Sequence, residues 1–177
     1  MIKWLYQKLM TSIVAKRGPD FVITNGEPDN PYLRRWYVVP RNPFFSIYLH
    51  QFLRSDEDDA LHDHPWLFNF SILLCGKYKE QTIRYGGVMR RTVHEAGKWS
   101  GLIVRGPWAV HRVELFANEM DLNNVWDPER CWTLFVTGPR VREWGFHCPK
   151  GWKSFKEFYA MTDAQGRTGG ARLGCGE

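Results

Sequence analysis

Two histidines stand one residue apart in 61-LHDHPWLFNFSILLC-75, and a third, His111, follows in 109-AVHRVEL-115. In an extended segment residues i and i+2 project to one side, so His62 and His64 converge while Asp63 turns away. Two neutral imidazoles placed this way chelate a divalent cation, and a third from an adjacent strand leaves coordination positions open for a ligand. An HxH pair alone is a weak signal, because neighbouring histidines arise by chance in loops. A third histidine just beyond the Gly106-Pro107 turn strengthens it. The competing reading is that these rings merely hydrogen-bond within a turn.

Other residue types fit a pocket around such a centre. Tyr48 and His50 share one face of 44-FFSIYLHQFLR-54, which makes them candidate catalytic side chains; parity alone leaves open whether that face points in. Arg105, Arg112, Arg140 and Arg142 offer guanidinium forks that match a carboxylate or a phosphate, although solvation is the commoner fate of a surface arginine. Glu114, three residues after His111, has the opposite strand parity and is expected to face outward. His94 and Glu95 lie on a neighbouring strand and receive no place.

The elements that must position these groups are short and mostly extended. Apolar side chains at Ile2, Leu5, Leu9 and Ile13 fall on one face of a helix expected over 2–15, which Arg17-Gly18-Pro19 ends. Strands are expected in 20–43, broken by prolines, then at 44–54, with 55-SDEDDA-60 as a solvated acidic loop. Further strands are expected at 68–75, 77–85, 88–96, 102–105, 109–115, 131–138 and 140–146, many of them bounded by glycine turns, and a short helix within 152–160. The division that follows is an N-terminal amphipathic helix over 1–19, a β-barrel over 20–161 and a flexible tail over 162–177.

Composition narrows the partners. The chain of 177 residues has a formal charge of +5, but Lys3, Lys8, Lys16 and Arg17 carry four of those charges in a segment without acids. The remainder is nearly neutral, which argues against nucleic acid as a partner and leaves a small molecule as the expected ligand. The lysines also interrupt any membrane-spanning or secretory apolar run, so no membrane association and a cytoplasmic location are expected. Four cysteines without a CxxC pair read as reduced thiols.

On these residues the chain resembles the cupin superfamily, whose motifs read G-x5-H-x-H-x3,4-E-x6-G and G-x5-P-x-G-x2-H-x3-N. His62, His64 and Gly76 match the first, with Asn69 at the usual glutamate position. The second is met more loosely: Gly106 takes the proline position with Pro107 one later, Trp108 replaces the glycine, and His111 matches the histidine. The pattern is also similar to small uncharacterised cupin-like proteins of bacteria and phages. The resemblance implies an all-β double-stranded β-helix, or jelly-roll barrel, with an N-terminal helix and a short C-terminal helix, holding one divalent metal in a homodimer. With asparagine at position 69, a three-histidine site as in the thiol dioxygenase branch is the nearer analogy. Asn69 then becomes a catalytic candidate that hydrogen-bonds a bound water or ligand, though an amide is a poor base.

By that analogy Fe(II) ranks first, and zinc, nickel, manganese and copper also suit imidazole ligands. The expected function is a mononuclear non-haem dioxygenase-like oxidoreductase acting on a small anionic substrate. Two alternatives stand beside it: a non-catalytic small-molecule-binding cupin, and a metal-free barrel like the sugar-nucleotide isomerases with histidine as base.

Overall fold

The computed structural model describes residues 1–24, 29, 31–56, 60–83, 87–116, 131–160 and 174–175. One sheet runs, in spatial order, through β1 (Phe21–Ile23), β2 (Leu33–Tyr37), β3 (Ser46–Phe52), β10 (Cys131–Thr137), β5 (Asn69–Cys75) and β8 (Leu102–Arg105). The second runs through β12 (Gly151–Ser154), β11 (Gly145–Cys148), β4 (Leu61–His62), β9 (His111–Leu115), β6 (Lys77–Ile83) and β7 (Met89–Glu95). Every neighbouring pair is antiparallel.

From β3 onward the chain passes back and forth between the sheets: β3 in the first, β4 in the second, β5 back in the first, β6 and β7 in the second, and so on to β12. That alternation winds two antiparallel sheets into a double-stranded β-helix, the jelly-roll barrel of cupins. Gly76, the last residue of the first motif, makes the tight turn from β5 to β6 at a backbone φ of +80°, a conformation glycine adopts without a Cβ penalty.

Period-two alternation divides the first sheet between two jobs. Trp36, Leu49, Leu134 and Ile72 lie side by side across β2, β3, β10 and β5 and face outward. Helix α1 (Ile2–Leu9), continued by a π-helical turn over Met10–Val14, covers them with Ile2, Leu5, Leu9 and Ile13. The intervening row, Arg35, His50 and Thr133, faces the interior. A slip of one residue would exchange the two rows, so burial of the apolar one under α1 holds the polar one at the cavity. No helix among the described residues is long and apolar enough to cross a membrane.

Three expectations need correction. The helix expected within 152–160 begins later: Gly151–Ser154 forms a hairpin strand with β11, and α2 covers Phe155–Ala160. The signal was present in 154-SFKE-157, where Ser154 Oγ accepts from the Glu157 amide at 3.2 Å and Glu157 Oε2 from the Ser154 amide at 3.0 Å, a capping box that starts the helix there. The acidic loop is not uniformly solvated, since Asp56 is buried and its Oδ2 accepts the Val113 amide at 2.6 Å; residues 57–59 lie outside the described residues. The cysteines are not all reduced, because Cys148 and Cys175 form a disulfide, while Cys75 and Cys131 are free. Of the expected tail, residues 174 and 175 are described. There Lys153 Nζ donates to the Gly174 carbonyl at 3.0 Å, and Cys175 packs with Phe146 and Phe158.

Candidate metal centre

His62 and His111 are paired in register on β4 and β9, and His64 follows where the chain leaves β4. The three rings converge: one ring nitrogen from each lies within 4.8 Å of the others, and His64 Nε2 stands 2.8 Å from His111 Nε2. Two nitrogens that each sit about 2.1 Å from one ion, at a right angle, are roughly 3 Å apart, so the donor set fits a single small cation. In the bare protein the same distance serves one N–H···N hydrogen bond. All three histidines border an interior cavity of about 530 Å³.

The imidazoles are held neutral, as ligands must be. Burial pushes His111 down to about 4, with the Arg105 charge adding to it. Burial and then the neighbouring His111 and His62 push His64 well below the ordinary histidine value. His62 is lowered by burial too, and Asp56, whose Oδ2 lies 3.9 Å from His62 Nδ1, opposes that shift.

Behind His111 stands a carboxylate that the sequence reading missed. Glu80 on β6 is 4% exposed, and its Oε1 lies 2.9 Å from His111 Nδ1. The ring makes no aligned hydrogen bond there, so the contact acts through charge and still favours a proton on Nδ1 and a lone pair on Nε2. Glu80 Oε2 is 2.8 Å from His94 Nε2, and Arg105 contacts Oε1. Burial alone would raise the Glu80 carboxyl; the contacts of His111 and His94 and the charge of Arg105 outweigh it and hold it well below the usual carboxylate range. A carboxylate behind a ligating histidine orients the ring and raises its basicity. The signal was its parity with Tyr78, whose ring is buried on the same face of β6.

Asp63 faces away from the cavity, as its position between the two histidines demands, and fastens the segment in place. It is 1% exposed and accepts from the Gly145 amide at 2.9 Å and the Trp152 indole at 3.0 Å, with Arg142 at 2.9 Å. Arg142 is thereby committed to the outside of the site. Asp63→Asn keeps the shape but loses the charge under those donors. It should cost about 1–3 kcal/mol, read as a lowered urea midpoint, and loosen the spacing of His62 and His64.

Tyr48 and His50 do face inward and line the cavity. His50 Nε2 accepts from Arg35 Nε at 2.9 Å, and its ring stacks on Tyr48 and Phe135. Asn69 is fully buried, and neither amide atom has a hydrogen-bond partner among the described residues. It is not among the residues bordering the cavity, where Ser71 presents β5 instead. Arg105 and Arg140 reach the cavity wall, the former neutralised by Glu80, while Arg112 contacts Glu114 and the Asp56 carbonyl.

The buried groups give the metal-free protein an acid limit whose sign is fixed. His111 binds its proton at about 4 when folded and at about 6.5 when unfolded, so the unfolded chain takes up more protons between those values and stability rises with pH across the window. Glu80, lowered on folding, contributes stability above its unfolded value that is lost as pH falls below it. Urea unfolding of chelator-treated protein should show stability lower at pH 5 than at pH 7, by on the order of 2 kcal/mol from His111.

No protein-family model and no curated protein matches the chain. Solved structures do. The oxalate decarboxylase of Bacillus subtilis, in a structure concerned with its Mn(II) centres, is 15% identical, with a TM-score of 0.49 over 85% of this chain and 33% of that one. A Klebsiella pneumoniae protein described as uncharacterized, with a double-stranded β-helix domain, is 18% identical, with a TM-score of 0.44 over 67% of this chain and 87% of that one. A cupin superfamily protein from Desulfitobacterium hafniense is 8% identical, with a TM-score of 0.40 over 60% and 77%. The chain spans a third or less of the Bacillus subtilis oxalate decarboxylase structures. Strand alternation between the sheets and the histidine geometry together define the class: this is a cupin-fold chain whose three-histidine group fits one divalent metal.

Proposed function

We propose that the protein is a mononuclear non-haem metal enzyme, dioxygenase-like, acting on a small anionic substrate. The observation that carries this is the convergence of three neutral imidazoles, with no carboxylate in the ligand group among the described residues, on a cavity large enough for a small molecule. His62, His64 and His111 would hold the ion, with Fe(II) first by analogy. A divalent metal bound there supplies Lewis acidity and open positions at which an anion and dioxygen or water can meet. Glu80 orients His111 and keeps its Nε2 free of a proton. Tyr48, Phe135 and Trp66 give the cavity an aromatic wall, and Asp63 holds the chelating segment to β11.

Arg35, Arg41 and Arg140 border the same cavity, which favours a negatively charged substrate. A homodimer is part of the proposal, as is a small molecule as partner. Dioxygen uptake with Fe(II)-loaded protein, screened over thiols, oxo-acids and amino acids, tests it: substrate-dependent uptake lost in His64→Ala supports the enzyme. One observation favours a second reading. Asn69, at the position expected to assist a bound water, does not border the cavity, which suits a cupin that binds a small molecule without turnover. Saturable ligand binding with no uptake for any compound would select it.

A further inference from the structure

We propose that the cavity contains a second subsite, built by Arg35, His50 and Thr133 on the first sheet, that binds an oxyanion independently of the metal. The three residues lie side by side, Arg35 opposite His50 and His50 opposite Thr133, and all border the cavity. Directly opposed residues on one face of a sheet bring their side chains within reach of one ligand group.

Each member offers a donor. Arg35 gives its Nε–H to His50 Nε2 at 2.9 Å, leaving the terminal amino groups of the guanidinium. Its Cζ lies 4.7 Å over the Tyr48 ring, and no carboxylate among the described residues pairs with it. Arg105, Arg142 and Arg17 are instead matched to Glu80, Asp63 and Asp20. Because His50 accepts at Nε2 and is kept neutral by burial and by the Arg35 charge, its one proton sits on Nδ1, which makes it a donor. Thr133 is 1% exposed and its Oγ1 has no hydrogen-bond partner among the described residues. Arg41, which also borders the cavity, adds a second positive charge.

A guanidinium, a ring N–H and a hydroxyl without an acid among them complement a carboxylate, phosphate or sulfonate, and a half-buried guanidinium without a counter-charge among the described residues favours binding one. Tyr48, stacked with His50 at 17° between ring planes, and Phe135 provide flat surface beside it. Among the described residues the acids that approach the cavity lie on the side of the other sheet: Asp56 borders it near His62, and Glu80 stands behind His111. The substrate class is therefore two-ended, with an oxyanion held by Arg35 and a metal-binding group near the histidines. The second end rests on the proposed function; the oxyanion end does not.

Isothermal titration separates the two. Acetate, benzoate, sulfate and inorganic phosphate are titrated into the full chain and into His62→Ala, each with and without Arg35→Met, and metal content is measured on the same samples. At least one anion should bind saturably to both backgrounds and weaken about tenfold or more in Arg35→Met, with a smaller loss in Thr133→Val. Binding by none of the four, or equal binding to Arg35→Met, overturns the subsite. So does affinity that vanishes with His62→Ala yet survives Arg35→Met, since the anion then sits on the metal. Full metal content in His62→Ala with loss of anion in Arg35→Met would defeat the metal reading and leave the subsite standing. If Arg35→Met fails to fold, Arg35→Lys and Thr133→Val carry the test, and unchanged affinity in both overturns it.

Discussion

Replacing His62 or His111 by alanine should reduce bound divalent metal from one ion per chain to near none while leaving the barrel folded. The two rings are cross-strand neighbours, and each supplies a third of a donor group that, among the described residues, consists of histidines alone. Losing one leaves a two-nitrogen site, and the fall in affinity should exceed the roughly 10–100-fold that outer-shell partners contribute. Elemental analysis on purified variants reads this directly. Far-UV circular dichroism should be unchanged, because the rings face a cavity and β4 stays fastened through Asp63. Two variants that both retain full stoichiometry would place the ion elsewhere.

The second large effect is expected at Glu80. It accepts from Arg105, hydrogen-bonds His94 and stands as the charge behind His111, all three of them buried. Glu80→Ala leaves a guanidinium in the interior without a partner. Breaking a buried pair from one side costs about 3–5 kcal/mol, which for a domain of this size lowers the melting temperature by roughly 10 °C. Metal affinity should fall about 10–100-fold as His111 loses the group that orients it. Glu80→Gln, which keeps an acceptor for His94, should fall between the variant and the parent. A Glu80→Ala protein as stable as its parent would mean that Arg105 and His94 find other partners.

The chelating trio was legible because it rests on two local signals: strand parity around Asp63 and the Gly106-Pro107 turn that precedes His111. The strand pattern was legible for the same reason, since glycine and proline punctuate it from 68 to 115. Long-range pairing was not. Nothing local in 77-KYKEQTIRY-85 says that Glu80 meets His94, Arg105 and His111, because the partners come from β7, β8 and β9 and meet only when the sheets close. Asp56 looked like one more acid in an acidic loop; its burial follows from the place where β9 needs an acceptor. Whether Tyr48 and His50 face in was undecidable until β3 was seen pinned between β2 and β10 with its other face under α1. The Cys148–Cys175 bridge was equally hidden, as spacing does not specify pairing. The resemblance placed Asn69 at the centre by its count from His64, but the cavity is bordered by Ser71, two residues further along β5.

In the proposed metal enzyme one ion sits among three rings contributed by β4, the segment just after it and β9. Crystals of the metal-loaded full chain, with diffraction recorded on both sides of the iron and zinc absorption edges, test it most directly. A single anomalous peak is expected, touched by ring nitrogens of His62, His64 and His111 together. No peak between those rings in protein shown to carry stoichiometric metal, or a peak held by other side chains, would contradict it.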